Sequence, residues 1–298
     1  MEGGKTSPFA TLAVIFDFDD TLVPDSTGEL LRAHGISPQD FYLKDVKALV
    51  QTGYEPTHAY LNRLLNAIGE GKPLGPITNS DLRDFGKGLN TKFFPGLPEM
   101  FDELRAIVRE FKDIAIEFHV ISGGIQEIIE GTKLATDWGF SAIYGCQLAG
   151  DTEDGVLRYI KRAITFTEKT RFIFEINKGF SPAQVLKSPY LVNKDKHYNM
   201  RRVPFANMIY VGDGQTDIPC FSLVRKGIGE PDGGGITFGV FDPASEMSAK
   251  QALLEHLKPG RVISSHAPNY MRDRELGSVI RAAVRTRCSE IKLREEEP

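Results

Sequence analysis

The residues with the most chemical capacity fall into three short clusters: Asp17, Asp19 and Asp20 in FDFDDT, Ser122, Gly123 and Gly124 in ISGG, and Asp213 and Asp217 in GDGQTD. Each closes a run of β-branched, aromatic and aliphatic residues, TLAVIFDF over 11–18, IAIEFHVIS over 114–122 and ANMIYVGDG over 206–214. Runs of this kind read as strands buried on both faces, as in a parallel sheet. Ligands of an open parallel sheet bind beyond the carboxyl ends of its strands, so the three clusters are expected to converge on one crevice. Carboxylates crowded into a crevice repel one another, and some hold their protons unless a cation neutralises the group. A hard divalent ion, Mg²⁺, meets that need, because it takes oxygen ligands, keeps waters and coordinates a substrate phosphate at the same time. Any one of these aspartates alone would read as a turn or cap residue. Their recurrence at strand ends is what points to a metal-assisted site.

Between the first two clusters the texture changes. Residues 25–92 hold four amphipathic helical stretches, STGELLRAHG, SPQDFYLKDVKALVQTG, EPTHAYLNRLLNAIGEG and NSDLRDFGKGLN, most opening on Ser, Asn or Pro and several closing on Gly. Beyond them, FFPGLPEMFDELRAIVREFK reads as a loop and a helix, and IQEIIEGTKLATDWG as one further helix. SAIYGCQLAGDTEDGVLRYIKRAITF reads as short strands around an Asp154-Gly155 turn, and TEKTRFIFEINKG as a helix ending on Gly179. SPYLVNKDKHYNMRRVPF reads as an irregular loop, TDIPCFSLVRKG as a helix, GGITFGVF as a last strand and SEMSAKQALLEHLKPG as an amphipathic helix. Strands alternating with helices predict an α/β fold built on a doubly wound parallel sheet. The expected organisation is a core of residues 1–24 and 93–242, a helical cap insert over 25–92 and a C-terminal helical extension over 243–298.

Composition agrees with a globular chain. With 298 residues, 41% hydrophobic and 26% charged, it can bury a real core, which excludes disorder, collagen and a small disulfide scaffold. No apolar run approaches the roughly 18 residues of a membrane span, and carboxylates interrupt the first one, unlike a signal peptide. A net charge of −4 argues against a dedicated nucleic-acid binder. The basic tail from 258 onward reads as a solvated helix rather than a nucleic-acid arm. Cys146, Cys220 and Cys288 are widely spaced and odd in number, which fits reduced thiols in a cytoplasm. No nucleic-acid or membrane partner is expected.

The motifs in this order resemble the haloacid dehalogenase-like (HAD) phosphatase superfamily. Asp17-Phe18-Asp19-Asp20-Thr21 is similar to its DxDxT motif, Ile121-Ser122-Gly123-Gly124 to its second motif, and Gly212-Asp213-Gly214-Gln215-Thr216-Asp217 to its fourth. The likeness covers the core segments 11–24 and 93–242. The SGG form, the insert directly after the first motif, and Leu148 followed by Asp154-Gly155-Val156-Leu157 resemble the phosphoserine-phosphatase-like branch with a helical cap. The resemblance implies a HAD-like Rossmannoid core and hydrolysis of the phosphomonoester of a small phosphorylated metabolite through an aspartyl-phosphate. Asp17 is then the nucleophile and Asp19 the acid that protonates the leaving alkoxide and next activates water. It assigns the Asp17 carboxylate, the Asp19 carbonyl and Asp213 to Mg²⁺, with Asp217 supporting the metal directly or through a neighbour. Thr21 orders the loop. Ser122 and the amides of Gly123 and Gly124 are expected to hold phosphoryl oxygens at a helix N-terminus.

The resemblance also implies a lysine between the second and fourth motifs to neutralise the nucleophile and the transferring group. Lys169, at a helix start in TEKTR, fits that position best; Lys178 beside Gly179 and Lys161 in an expected strand are the alternatives. A cap after the nucleophile loop implies that substrate choice lies in the insert, with Asp25, Ser26, Tyr60 and Arg63 as candidate contacts. Asp25, in VPDST, lies at a spacing similar but not identical to that of the glutamate with which the branch holds a substrate amine. Cys220, Trp138 and His119 read as packing, His197 as part of the irregular loop and Gly233-Gly234-Gly235 as a turn. A phosphotransferase or mutase would use the same intermediate with another acceptor. A phospho-accepting signalling module is the further alternative, against which Asp19 and the cap both argue.

Overall fold

The computed structural model describes residues 10–296, so the expected chain ends at 1 and 298 lie outside the described residues. Seven strands form one sheet: β1 Thr11–Phe16, β2 Ala115–Ile125, β3 Ala142–Gly150, β4 Leu157–Arg162, β5 Met208–Gly212, β6 Ile236–Val240 and β7 Ser264–His266. Their order is β4-β3-β2-β1-β5-β6-β7, parallel throughout except for the antiparallel β3–β4 hairpin. Every residue of β1, β5 and β6 is buried, which is why these segments read as continuous apolar runs rather than alternating ones. The doubly wound parallel sheet expected from the strand–helix alternation is therefore the fold observed.

Topology places the chemistry. The chain leaves β1, builds β2 on one side of it and later returns with β5 on the other, so the order reverses at β1. Phe16 lies in register with Val120 of β2 and with Val211 of β5, and the Asp17 amide donates to the Val211 carbonyl at 2.9 Å. The three sequence clusters consequently leave the sheet side by side at its switch point.

The helices are α1 Ser26–Ala33, α2 Pro38–Asp40, α3 Lys47–Gln51, α4 Pro56–Asn66, α5 Asn79–Gly88, α6 Glu99–Arg109, α7 Gln126–Glu130, α8 Lys133–Thr136, α9 Glu168–Lys178, α10 Pro182–Lys187, α11 Ile218–Lys226, α12 Glu246–Gln251 and α13 Glu275–Glu296. A π-helical turn, Phe41–Val46, joins α2 to α3, so residues 25–92 hold four helical stretches. Pairs α6 with α13 and α9 with α11 pack against the sheet.

Three local expectations are corrected. The single helix expected over IQEIIEGTKLATDWG is two short ones, α7 and α8. It breaks where a Cβ on Gly131 would stand 2.1 Å from the Arg83 carbonyl of α5, and Thr132 then caps α8. Strand β2 does not stop at Ser122 but runs to Ile125, with a register shift against β3 between Ile121 and Ile125. The tail, expected as purely helical, adds β7 to the sheet through Phe238↔Ser264 and Val240↔His266. Three residues are too short to leave a periodic signal.

Candidate functional site

Asp17 directly follows β1, with its side chain 7% exposed. Its Oδ1 accepts the Phe18 amide at 2.7 Å and its Oδ2 accepts Lys169 Nζ at 2.7 Å. Lys169 sits in the first turn of α9, fully buried, and donates also to Asp217 Oδ1 at 2.8 Å. That oxygen accepts in addition the Tyr210 hydroxyl at 2.6 Å, while Asp217 Oδ2 accepts the Gly214 amide at 3.1 Å. Asp213 stands on the same side, its Oδ1 reached by the Thr21 hydroxyl at 3.5 Å. One oxygen from each of Asp17, Asp213 and Asp217 lies within 4.8 Å of the others.

Asp19 faces a different direction. Its Oδ1 accepts the Ser26 amide at 2.7 Å, tying the nucleophile loop to the start of α1. Its Oδ2 packs so near the second motif that a Cβ on Gly124 would stand 2.4 Å from it and would displace the Asp19 carboxylate. Ser122 Oγ accepts the Gly124 amide at 2.9 Å. Ser122, Gly123 and Gly124 thus stand on the extended end of β2, directly ahead of α7, which begins at Gln126. Asp17, Asp19, Ser122, Gly123, Gly124 and Asp213 all line one crevice of about 420 Å³, walled on the other side by Asp25, Tyr42, Thr57 and Tyr60 of the insert.

The alternatives for the lysine are elsewhere. Lys178, at the far end of α9, donates to the carbonyls of Val192 and Lys194 at 2.7 and 2.9 Å, and Lys161 lies on β4. Of the expected insert contacts, Asp25 and Tyr60 line the crevice; Arg63 instead pairs with Asp45 at 2.9 Å and does not. Tyr60 donates to the Gly123 carbonyl, so α4 is pinned to the second motif. Ser26 contributes its backbone amide to Asp19. Trp138 packs on Phe93 and Phe101, His119 is buried in the sheet beside Glu117, and Cys146, Cys220 and Cys288 are buried and unpaired.

Sequence reasoning missed Tyr210, Tyr42 and Tyr270. Tyr210 carried a usable signal: a tyrosine within an otherwise apolar buried strand needs a partner for its hydroxyl, and Asp217 is that partner. Tyr42 donates to Asp25 at 3.4 Å and Tyr270 to the Thr21 carbonyl at 2.6 Å; neither belongs to a recognisable pattern.

Burial dominates the electrostatics. It pushes the Asp19 carboxyl up to about 8, with the charge of Asp25 adding to the effect. Burial and then the charges of Asp17 and Asp217 hold Asp213 well above the usual carboxylate range. Asp17 is raised by burial and by Asp217 against the lowering pull of Lys169. For Lys169 burial disfavours the ammonium, but Asp17 and Asp217 outweigh it and keep the side chain charged. Three carboxylates around one cation leave a buried negative excess, and oxygen donors at this separation suit a hard divalent ion.

A sequence model described as haloacid dehalogenase-like hydrolase matches residues 14–222. An uncharacterised protein of Borreliella burgdorferi is 27% identical over 237 residues, spanning 72% of this chain and 79% of the relative. Among solved structures, a HAD family hydrolase from Salmonella enterica serovar Typhi superposes with a TM-score of 0.56 at 12% identity, covering 93% of this chain and 72% of that one. A phosphoserine phosphatase captured as a phospho-aspartyl intermediate analogue superposes with a TM-score of 0.52 at 16% identity, covering 91% of this chain and 98% of that one. At such identities these likenesses concern the fold.

Proposed function

The chain belongs to the haloacid dehalogenase-like hydrolase family, and on that premise we propose that it is a Mg²⁺-dependent phosphatase releasing phosphate from a small phosphorylated metabolite through an aspartyl-phosphate. The observation that carries this reading is Lys169 Nζ, fully buried and shared between Asp17 at 2.7 Å and Asp217 at 2.8 Å, with an oxygen of Asp213 within 4.8 Å of theirs.

Asp17 supplies the nucleophile. One of its oxygens attacks phosphorus while the bond from phosphorus to the ester oxygen breaks, and Asp19 passes its proton to that oxygen as it leaves. Asp19, now a carboxylate, takes a proton from water; the hydroxide so formed attacks phosphorus, and the bond to Asp17 breaks to release inorganic phosphate. Lys169 holds its positive charge throughout and steadies the charge on Asp17 and the phosphoryl oxygens. Ser122 Oγ and the amide of Gly123 offer donors to those oxygens, and the Gly124 amide, which donates to Ser122 Oγ in this structure, would join them by exchanging that bond. Asp17, the Asp19 carbonyl and Asp213 would hold Mg²⁺, with Asp217 fixed by Lys169, Tyr210 and Gly214 in support. Bound there, the ion supplies charge neutralisation between nucleophile and phosphate. Three buried unpaired cysteines fit a reducing compartment such as the cytoplasm. Among the described residues no helix is long and apolar enough to cross a membrane.

The test is phosphate release from a panel of phosphorylated metabolites with and without Mg²⁺. Release by the wild type that needs the ion and disappears in Asp17→Asn is expected. Release surviving that substitution would contradict the reading.

A further inference from the structure

The crevice does not end at the insert wall. A second cavity of about 500 Å³ adjoins it on the side away from Asp17, with Pro56, Thr57, Gln215 and Thr216 lining both. The character of the lining changes from one to the other. The inner part is carboxylate-rich; the outer part is lined by Phe166, Ile218 and Pro219, with Glu55 and Glu255 among them. Phe166 is 44% exposed, a large aromatic surface left facing the groove rather than packed into the core. Gln215 Nε2 donates to Glu255 Oε1 at 3.3 Å and so orients that carboxylate from the catalytic side. Glu55 spends Oε2 on the His58 amide at 2.9 Å and on the His58 ring Nδ1 at 3.0 Å, while its Oε1 has no hydrogen-bond partner. Among the described residues that line either cavity there is no lysine, arginine or histidine. Lys169 is sealed behind Asp17, and outside the lining the His58 ring stands 3.0 Å from Glu55 Oε2 while Arg261 donates to the Glu255 carbonyl.

We propose that this groove is the leaving-group subsite, and that it takes phosphomonoesters whose alcohol is elongated, apolar in its middle and cationic at its far end. The inference rests on the phosphatase reading and adds to it a substrate class. A leaving group the size of serine would fill only the inner crevice and leave Phe166, Ile218 and Pro219 unused. An anionic group would meet the carboxylates of Glu55 and Glu255 with no lysine, arginine or histidine in the lining to receive it. An ammonium on an alkyl stem, by contrast, buries its methylenes against the apolar lining and brings its charge to two carboxylates. The insert arginine that could have met a substrate carboxylate, Arg63, is spent on Asp45.

Ethyl, hexyl, ω-aminohexyl and ω-carboxypentyl phosphates test chain length and charge separately. Wild-type kcat/KM should be about tenfold higher for hexyl than for ethyl phosphate, as expected for a few methylenes entering an open apolar groove. It should be about tenfold higher for the ω-amino than for the ω-carboxy ester. Phe166→Ala should shrink the hexyl-to-ethyl ratio and Glu255→Gln the amino-to-carboxy ratio, each by about threefold, the scale of a partly exposed contact. Hexyl no better than ethyl, or carboxy equal to amino, overturns the subsite. Calorimetric binding of the same four esters to Asp17→Asn protein with Mg²⁺ reads the groove apart from catalysis. Preferential binding of the ω-amino ester with no release by the wild type would sink the phosphatase reading and leave the groove standing. Equal binding of all four sinks the groove whatever the wild type turns over.

Discussion

Burial and the neighbouring charge of Asp25 push the Asp19 carboxyl up to about 8, so near neutral pH it holds the proton a leaving oxygen needs. The first chemical step consumes that proton, and raising the pH through about 8 removes it before substrate arrives. The activity profile should therefore show kcat/KM falling on the alkaline side with a midpoint near 8. Asp19→Asn, which cannot give a proton, should lower kcat by about two to four orders of magnitude and flatten that limb. An alkaline limb unchanged in the variant would assign it to another group. At this scale much was legible. Asp17, Asp19, Asp213 and Asp217 announced themselves because acids at the ends of apolar runs have no packing role, and Lys169 stood out at a helix start. Tyr42 and Tyr270 were not legible, because their hydroxyls serve Asp25 and the Thr21 carbonyl, partners far away in sequence.

The elements were legible as types but not as neighbours. Four helical stretches in the insert follow from caps and periodicity; that the last of them, α5, is fastened to α7 of the core does not. Gly86 of α5 lies so close to α7 that a Cβ there would stand 2.1 Å from the Ile128 carbonyl. Backbone cannot yield as a side-chain tip does, so Gly86→Ala should cost about 1–3 kcal/mol and lower Tm. Its helix-propensity gain offsets only about 1 kcal/mol of that. An unchanged or raised Tm would mean that α5 does not hold this contact in solution. Tyr60 of α4 is tied to the Gly123 carbonyl and the start of α1 to Asp19, so with the α5 contact the insert is fastened to the core at three places. The break between α7 and α8 belongs to the same contact, since Gly131 meets Arg83 of α5, and no local pattern foretells a break imposed by a neighbour.

In the whole molecule the C-terminal segment is part of the core. Strand β7 extends the sheet, α13 packs on α6, and Arg281 donates from its Nη1 to the Tyr270 and Gly277 carbonyls while pairing with Glu103. Tyr270, fully buried, reaches the nucleophile loop through the Thr21 carbonyl. Removing residues 258–298 should abolish soluble folded protein, since it bares β6 and the face of α6. Tyr270→Phe should cost only about 1 kcal/mol, the worth of one buried hydrogen bond. A truncated chain with the parent Tm would contradict this. Nothing in the tail's sequence marks it as structural, because a three-residue strand has no period and a helix with a charged outer face looks the same solvated or docked. The account as a whole turns on where the phosphoryl group goes. The most direct measurement is acid-quenched mass spectrometry of Asp19→Asn protein mixed with Mg²⁺ and a substrate ester, where hydrolysis of the intermediate should be slowed. The account predicts one added phosphoryl group, located on Asp17. Phosphate release without any acyl-phosphate, or a phosphoryl group on another residue, would contradict it.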